Sequence, residues 1–307
     1  MRPAASVILV MCVFGSAHAE PDSLDDLLGP REIAVGEALR GAATGQSAVA
    51  LNPAGLALNR ELVFEGGYGY RASDNASLVG VSACDSTTPV PGCFFYDYAT
   101  SSPDLGGDNM SRTTHLAGVS LSRLLVPRVL VGTTTKYYRF DSNVMSESSA
   151  RGFGVDLGAT VRVSEMINVG VAAHNLWTTT DSSHFPRAIG AGLMARPMPI
   201  LSVSFDSRWK LIDGDHSARF GGGGELFLRG SNGAMGYPLR VGAVHDNGLG
   251  STFITGGLGI VGMRWGVDVG ARREVRGGDE TLILASMRFF GPRLAAPGVD
   301  GVSSGME

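Results

Sequence analysis

Residues 201–211 read Leu201-Ser202-Val203-Ser204-Phe205-Asp206-Ser207-Arg208-Trp209-Lys210-Leu211. The odd positions are apolar apart from Ser207, and the even positions carry two serines and three charges. A period of two puts these sets on opposite faces of an extended strand; wound at 3.6 residues per turn they would scatter around a helix. Strands of soluble proteins average about 5–6 residues, whereas a strand that crosses a bilayer at a tilt needs roughly 9–11. This stretch has the longer dimension.

The same alternation recurs on both sides of it. Phe153, Val155, Leu157, Ala159, Val161 and Val163 alternate with Gly154, Asp156, Gly158, Thr160 and Arg162. Trp265, Val267, Val269 and Ala271 alternate with Gly266, Asp268, Gly270 and Arg272. In a soluble sandwich the apolar face packs on a core; in a membrane barrel it meets lipid, and the charged face lines the lumen. Composition favours the barrel. Charged residues are 18%, against roughly 25% in soluble domains, and 44 of the 307 residues are glycine. After the first 20 residues no apolar run is long enough for a transmembrane helix. A chain without apolar runs hides its hydrophobicity in alternation.

Fourteen candidate strands follow from the pattern: 61–72, 76–84, 94–100, 113–123, 129–140, 151–163, 167–177, 187–195, 200–212, 217–229, 237–246, 251–261, 265–275 and 280–290. The pattern is faintest over 94–100, but an even count is needed to bring both barrel ends to one rim. Short links, such as Val126-Pro127 and Ser164-Glu165-Met166, alternate with the longer polar loops 101–112, 141–150 and 178–186. Aromatics gather near strand ends, at Tyr137, Tyr138, Phe140, Trp177, Trp209, Trp265, Phe289 and Phe290, in the manner of interfacial girdles. The expected fold class is therefore all-β, a transmembrane antiparallel β-barrel of about 14 strands in the outer membrane of a Gram-negative cell, with membrane lipid around it.

Upstream of the barrel the pattern changes. Arg2, the apolar run Val7–Phe14 and the small-residue site Ala17-His18-Ala19 have the form of a secretion signal covering 1–19. Residues 20–60 are rich in Gly and Ala, broken by Pro53 and Gly55. They suit short helical pieces forming a hatch, or plug, inside the lumen; a periplasmic tail is the alternative. Residues 291–307, rich in Gly, Pro, Ala and Ser, read as a disordered tail after a barrel of 61–290. Cys84 and Cys93, an even pair in an exported chain, are expected to form a disulfide.

Chemistry is scarce. Gly257-Leu258-Gly259-Ile260-Val261-Gly262 matches a dinucleotide fingerprint in glycine spacing, but it lies in a strand and leads into another strand rather than a helix. The histidines have no metal spacing, and no G-x-S-x-G elbow exists. His216 beside Asp213 and Asp215, and His245 beside Asp246, are the local acid–base pairs, better read as solvated rim. No enzyme, cofactor or metal is expected. The net charge of −4 and the lack of a basic cluster exclude nucleic acid as a partner. Alternation points Asp156, Arg162, Asp206, Arg208, Lys210, Arg219, Glu225, Arg240, Asp268, Arg272 and Arg288 into the lumen, with the signs mixed. That balance suits ion pairs among wall and hatch rather than an ion-selective pore.

The segment Ala34…Gly36-Glu37-Ala38…Arg40-Gly41-Ala42-Ala43-Thr44-Gly45…Ala48…Ala50-Leu51-Asn52-Pro53-Ala54-Gly55-Leu56-Ala57 resembles the N-terminal hatch of the FadL-type outer-membrane transporters and of the related PorV/PorQ-type barrels. Ala173-His174-Asn175-Leu176 resembles a strand ending of the PorV-like branch. The resemblance implies that Asn52, Pro53, Ala54 and Gly55 hold the hatch, and that a hydrophobic small-molecule ligand crosses passively. The chain is short for the fatty-acid transporters and has no long apolar loop. That raises the alternative of a structural or secretion-associated barrel acting through a secreted-protein or periplasmic partner.

Overall fold

The computed structural model describes residues 27–102, 110–144, 147–179, 185–211, 217–231 and 233–294. The expected signal over 1–19, the tail beyond 294 and the pair His216–Asp213 lie outside the described residues. Two short helices come first, α1 (Pro30–Ala34) and α2 (Gln46–Leu51), then one 3-10 turn, Pro53–Ala57. Fourteen strands follow: β1 (Arg60–Arg71), β2 (Ala76–Asp85), β3 (Gly92–Ser101), β4 (Arg112–Val126), β5 (Val129–Ser142), β6 (Ala150–Arg162), β7 (Ile167–Thr178), β8 (Arg187–Met198), β9 (Leu201–Leu211), β10 (Ala218–Arg229), β11 (Gly236–Asp246), β12 (Ser251–Val261), β13 (Trp265–Arg276) and β14 (Thr281–Leu294).

Each strand pairs antiparallel with its sequence neighbours, and β1 pairs with β14, so the sheet closes on itself. Closure leaves no edge whose amides lipid would have to solvate. Outward positions are oily: Phe64, Phe94, Phe153, Leu157, Phe205, Val241, Leu258 and Phe289 are all exposed. Apolar exposure on this scale, all round a closed wall, matches a lipid-facing surface. The last strand continues to Leu294, past the point where the tail was expected.

The aromatic girdle is thinner than the sequence suggested. Tyr138 and Phe140 are 1% exposed and point inward, because strand parity sets them opposite to outward Tyr137 and Arg139. They pack with Phe95, Phe185 and Leu116 in an apolar cluster inside the barrel. Phe290 likewise turns inward, and Arg288 lies 5.3 Å from the centre of its ring.

Cys84 and Cys93 face each other directly across β2 and β3 and are disulfide-bonded. They lie at the end of the barrel where β1 begins and where the short links 127–128 and 199–200 turn the chain.

Candidate functional site

Residues 27–59 lie within the wall. Their inward neighbours are glycines, and the reason is steric. A Cβ at Gly270 of β13 would meet Pro30 O, one at Gly257 of β12 would lie 2.6 Å from Ala34 Cβ, and one at Gly223 of β10 would lie 2.6 Å from Val35 O. Further round, Gly221 is against Gly36, Gly190 and Gly170 against Arg40, Gly158 against Asn52 and Pro53, and Gly132 against Pro53 and Ala54. Close backbone approach is a standard reason for glycine within a strand. The glycine excess thus forms an inner track on which the segment lies.

Polar contacts fix it along that track. Asn52 is fully buried; its side-chain amide donates to Arg40 O at 3.0 Å, Thr160 Oγ1 at 2.9 Å and Ala159 O at 3.3 Å. Its Oδ1 accepts from Ala54 N at 3.2 Å and caps the Pro53–Ala57 turn. Pro53 begins that turn, a position where its missing N–H is no loss. At Gly55 a Cβ would overlap Ala43 O, so the segment folds on itself there.

Ions complete the attachment. Arg40 donates from its backbone N (3.0 Å) and from Nη1 (2.9 Å) to Asp206 Oδ2, and from Nε to Leu51 O. Glu37 Oε1 accepts from Arg219 Nη2 at 2.7 Å and from Arg272 Nη1 at 2.8 Å. Thr255 Oγ1 lies between Gly36 N and Ala34 O. Arg162 donates to Leu58 O at 2.7 Å. Burial pushes the Glu32 carboxyl up, opposed by the neighbouring Arg31 guanidinium.

Other lumen charges pair within the wall. Asp268 accepts from Arg240 and Arg288, each at 2.6 Å, and Arg240 also donates to Glu225 at 2.7 Å. Asp156 accepts from Lys136 Nζ at 2.8 Å and from Asn175 N at 2.8 Å, with His174 Nδ1 at 3.3 Å. There β7 bulges, so that His174, Asn175 and Leu176 oppose the single residue Asp156; Asn175 has φ 53°. Lys210 is buried, and Arg208 lines a cavity with Arg40 and Asp206.

That cavity, about 80 Å³, lies on one side of the segment. On its other side opens a recess of about 430 Å³, bordered by Arg31, Val35, Leu58, Arg162, Arg196 and Arg240. His245 and Asp246 are adjacent on β11 and alternate in direction: His245 meets Thr252, whereas Asp246 turns inward to Arg219 and caps the turn at Gly248. They form no acid–base pair.

Sequence reasoning named Glu37, Arg40 and His174 only within the resemblances, with no role of their own, and missed Asp97 and Lys136 as lumen residues. Parity alone puts Lys136 beside inward Thr134 and Tyr138, and Asp97 beside inward Phe95 and Ala99. Glu37 and Arg40 carry no such signal; they are the isolated charges of a small-residue stretch.

No family model matches the sequence, and no curated protein matches it. Solved structures do. The CymD monoaromatic hydrocarbon channel superposes with a TM-score of 0.63 at 11% identity, over 86% of this chain and 98% of that one. The Pseudomonas putida toluene transporter TodX gives 0.64 at 11%, with the same coverage. A Pseudomonas aeruginosa FadL homologue gives 0.57 at 10%, over 85% of this chain and 97% of that one. These neighbours are transport proteins rather than enzymes. The chain has the fold of the FadL-type outer-membrane transporters, a closed antiparallel barrel of fourteen strands.

Proposed function

We propose that this chain is an outer-membrane barrel for the passive transport of small hydrophobic molecules, with the segment ahead of β1 as its hatch and β1–β14, Arg60 to Leu294, as its wall. The observation that carries this reading is the docking of residues 30–57 on an inner track of glycines, in a fold shared with two hydrocarbon channels. Asn52, Pro53, Ala54 and Gly55 are the hatch motif: they form the turn that ends the segment and tie it to β5 and β6. Of the inward charges, Arg162, Asp206, Arg219 and Arg272 tie the hatch to the wall, Asp156, Glu225, Arg240, Asp268 and Arg288 pair within the wall, and Arg208 and Lys210 add to the lumen's charge. Uptake of a hydrophobic fluorescent probe by cells with and without the gene tests the reading. Faster uptake with the gene is expected; equal rates overturn it.

One observation favours a second reading. The space above the segment is only about 80 Å³, and the ion pairs Arg40–Asp206 and Lys136–Asp156 close one side of it. A filled lumen suits a PorV/PorQ-like barrel that acts through a secreted or periplasmic protein partner. That reading requires a stoichiometric partner on purification in mild detergent, together with unchanged probe uptake.

A further inference from the structure

Asp97 and Glu65 are buried lumen carboxylates with no ion pair among the described residues; Glu65 accepts from Ser286 Oγ, and of the two only Asp97 borders the cavity beside Arg40. Asp156, Asp206, Asp268 and Glu37 each touch a cation. Asp97 is 7% exposed, on the inward face of β3, and accepts one hydrogen bond, from Gln46 Nε2 at 3.2 Å. Among the described residues no Lys, Arg or His forms an ion pair with it. A carboxylate held away from water by one neutral donor is strongly disfavoured in its ionised form. A proton relieves that penalty; so does a cationic ligand.

The surroundings favour the ligand. Asp97 borders the cavity of about 80 Å³, where Leu28, Val49, Phe95 and Leu116 supply an apolar wall beside it. A second space of about 30 Å³ reaches the Asp97–Gln46 pair from the other side, bordered by Leu78 and Leu284. The cavity's own Lys136, Arg40 and Arg219 are occupied with Asp156, Asp206 and Glu37. A carboxylate without a counter-charge, next to a void a few heavy atoms in size that is apolar on the carboxylate's side, is complementary to a small organic cation. A primary ammonium brings three donors and a full charge, and its short alkyl group takes the apolar side.

We propose that Asp97 anchors a lumenal binding site for short-chain alkylammonium compounds. The proposal rests on the reading that small molecules enter the lumen, and names the class that this cavity selects. The test is equilibrium dialysis of radiolabelled n-propylamine at neutral pH against the full chain in detergent micelles, with n-propanol as the uncharged isostere. Saturable binding of one propylammonium per barrel is expected, with propanol at least tenfold weaker. Asp97→Asn is expected to lower propylammonium affinity at least tenfold, and Leu116→Phe to do the same by filling the void while leaving the carboxylate. Heat-modifiable migration on gels checks that each variant is a folded barrel; if Asp97→Asn does not fold, Leu116→Phe and the propanol comparison decide. Equal binding of propanol, wild-type affinity in either folded variant, or no saturable binding overturns the proposal and assigns Asp97 a proton instead. Hydrophobic-probe uptake that persists alongside such a failure leaves the transport reading standing, so the two fail separately.

Discussion

Asn52 combines roles that no other residue type fills in one place. Its amide donates to acceptors on the segment and on β6, and its oxygen caps the turn that follows. Aspartate keeps the shape and the cap but loses both donors, leaving the carbonyls of Arg40 and Ala159 facing a carboxylate, although the Thr160 hydroxyl can turn to donate to it. Stranding buried acceptors costs about 1–3 kcal/mol, more beside a charge. Asn52→Asp is therefore expected to loosen the segment about tenfold or more, read as trypsin cleavage after Arg40, which is 2% exposed when docked. Glu32 predicts a pH dependence of docking. Burial raises its value when docked, so its neutral form favours docking at pH below the ordinary glutamate value, about 4.3. That contribution is lost as pH rises through the raised value. Trypsin sensitivity should increase with pH after correction for the enzyme's own profile, and Glu32→Gln should flatten that increase. None of the contacts of Arg40 or Glu37 was legible in advance. Arg40 and Asp206 are 166 residues apart, and the small-residue stretch around Arg40 has no periodicity to give its direction.

At the scale of elements, the wall was legible because period two survives in most strands; Leu201–Leu211 alone separates a lipid face from a lumen face. It failed where the period is masked or broken. In Phe94-Phe95-Tyr96-Asp97-Tyr98 aromatics occupy both faces, so Asp97 was overlooked. In β7 the bulge turns both His174 and Asn175 inward, which strict alternation forbids. Glycine has a directional meaning in these strands as well. Gly158 faces Asn52 and Pro53, whereas the outward Gly66 has only Val81 Cγ1 near, at 3.9 Å from its Cβ position. Gly158→Leu should preserve the heat-modifiable barrel yet leave the segment trypsin-sensitive; Gly66→Leu should change neither. If both substitutions behave alike, the inner track has no special role.

For the whole molecule, composition and strand count announced a membrane barrel, while the lumen's contacts are ones that only the closed wall assembles. The ion pairs that tie the segment to β9, β10 and β13 join sites far apart in sequence. Removing residues 27–59 is expected to convert a barrel of low conductance in planar bilayers into an open pore. If the shortened chain folds and conductance stays at the wild-type level, the segment does not block the lumen. The inner track also bears on how the molecule is made. Residues 30–57 leave the ribosome before every strand they rest on, and Gly36 meets Thr255 across 219 positions. Contacts of such range form late, because a long loop must close first. The segment's contacts with β10 to β13 therefore need those later strands to be in place, and the β1–β14 pairing encloses it. A side chain grown on the track would meet the segment at this late step, displacing the segment while leaving the strands free to close.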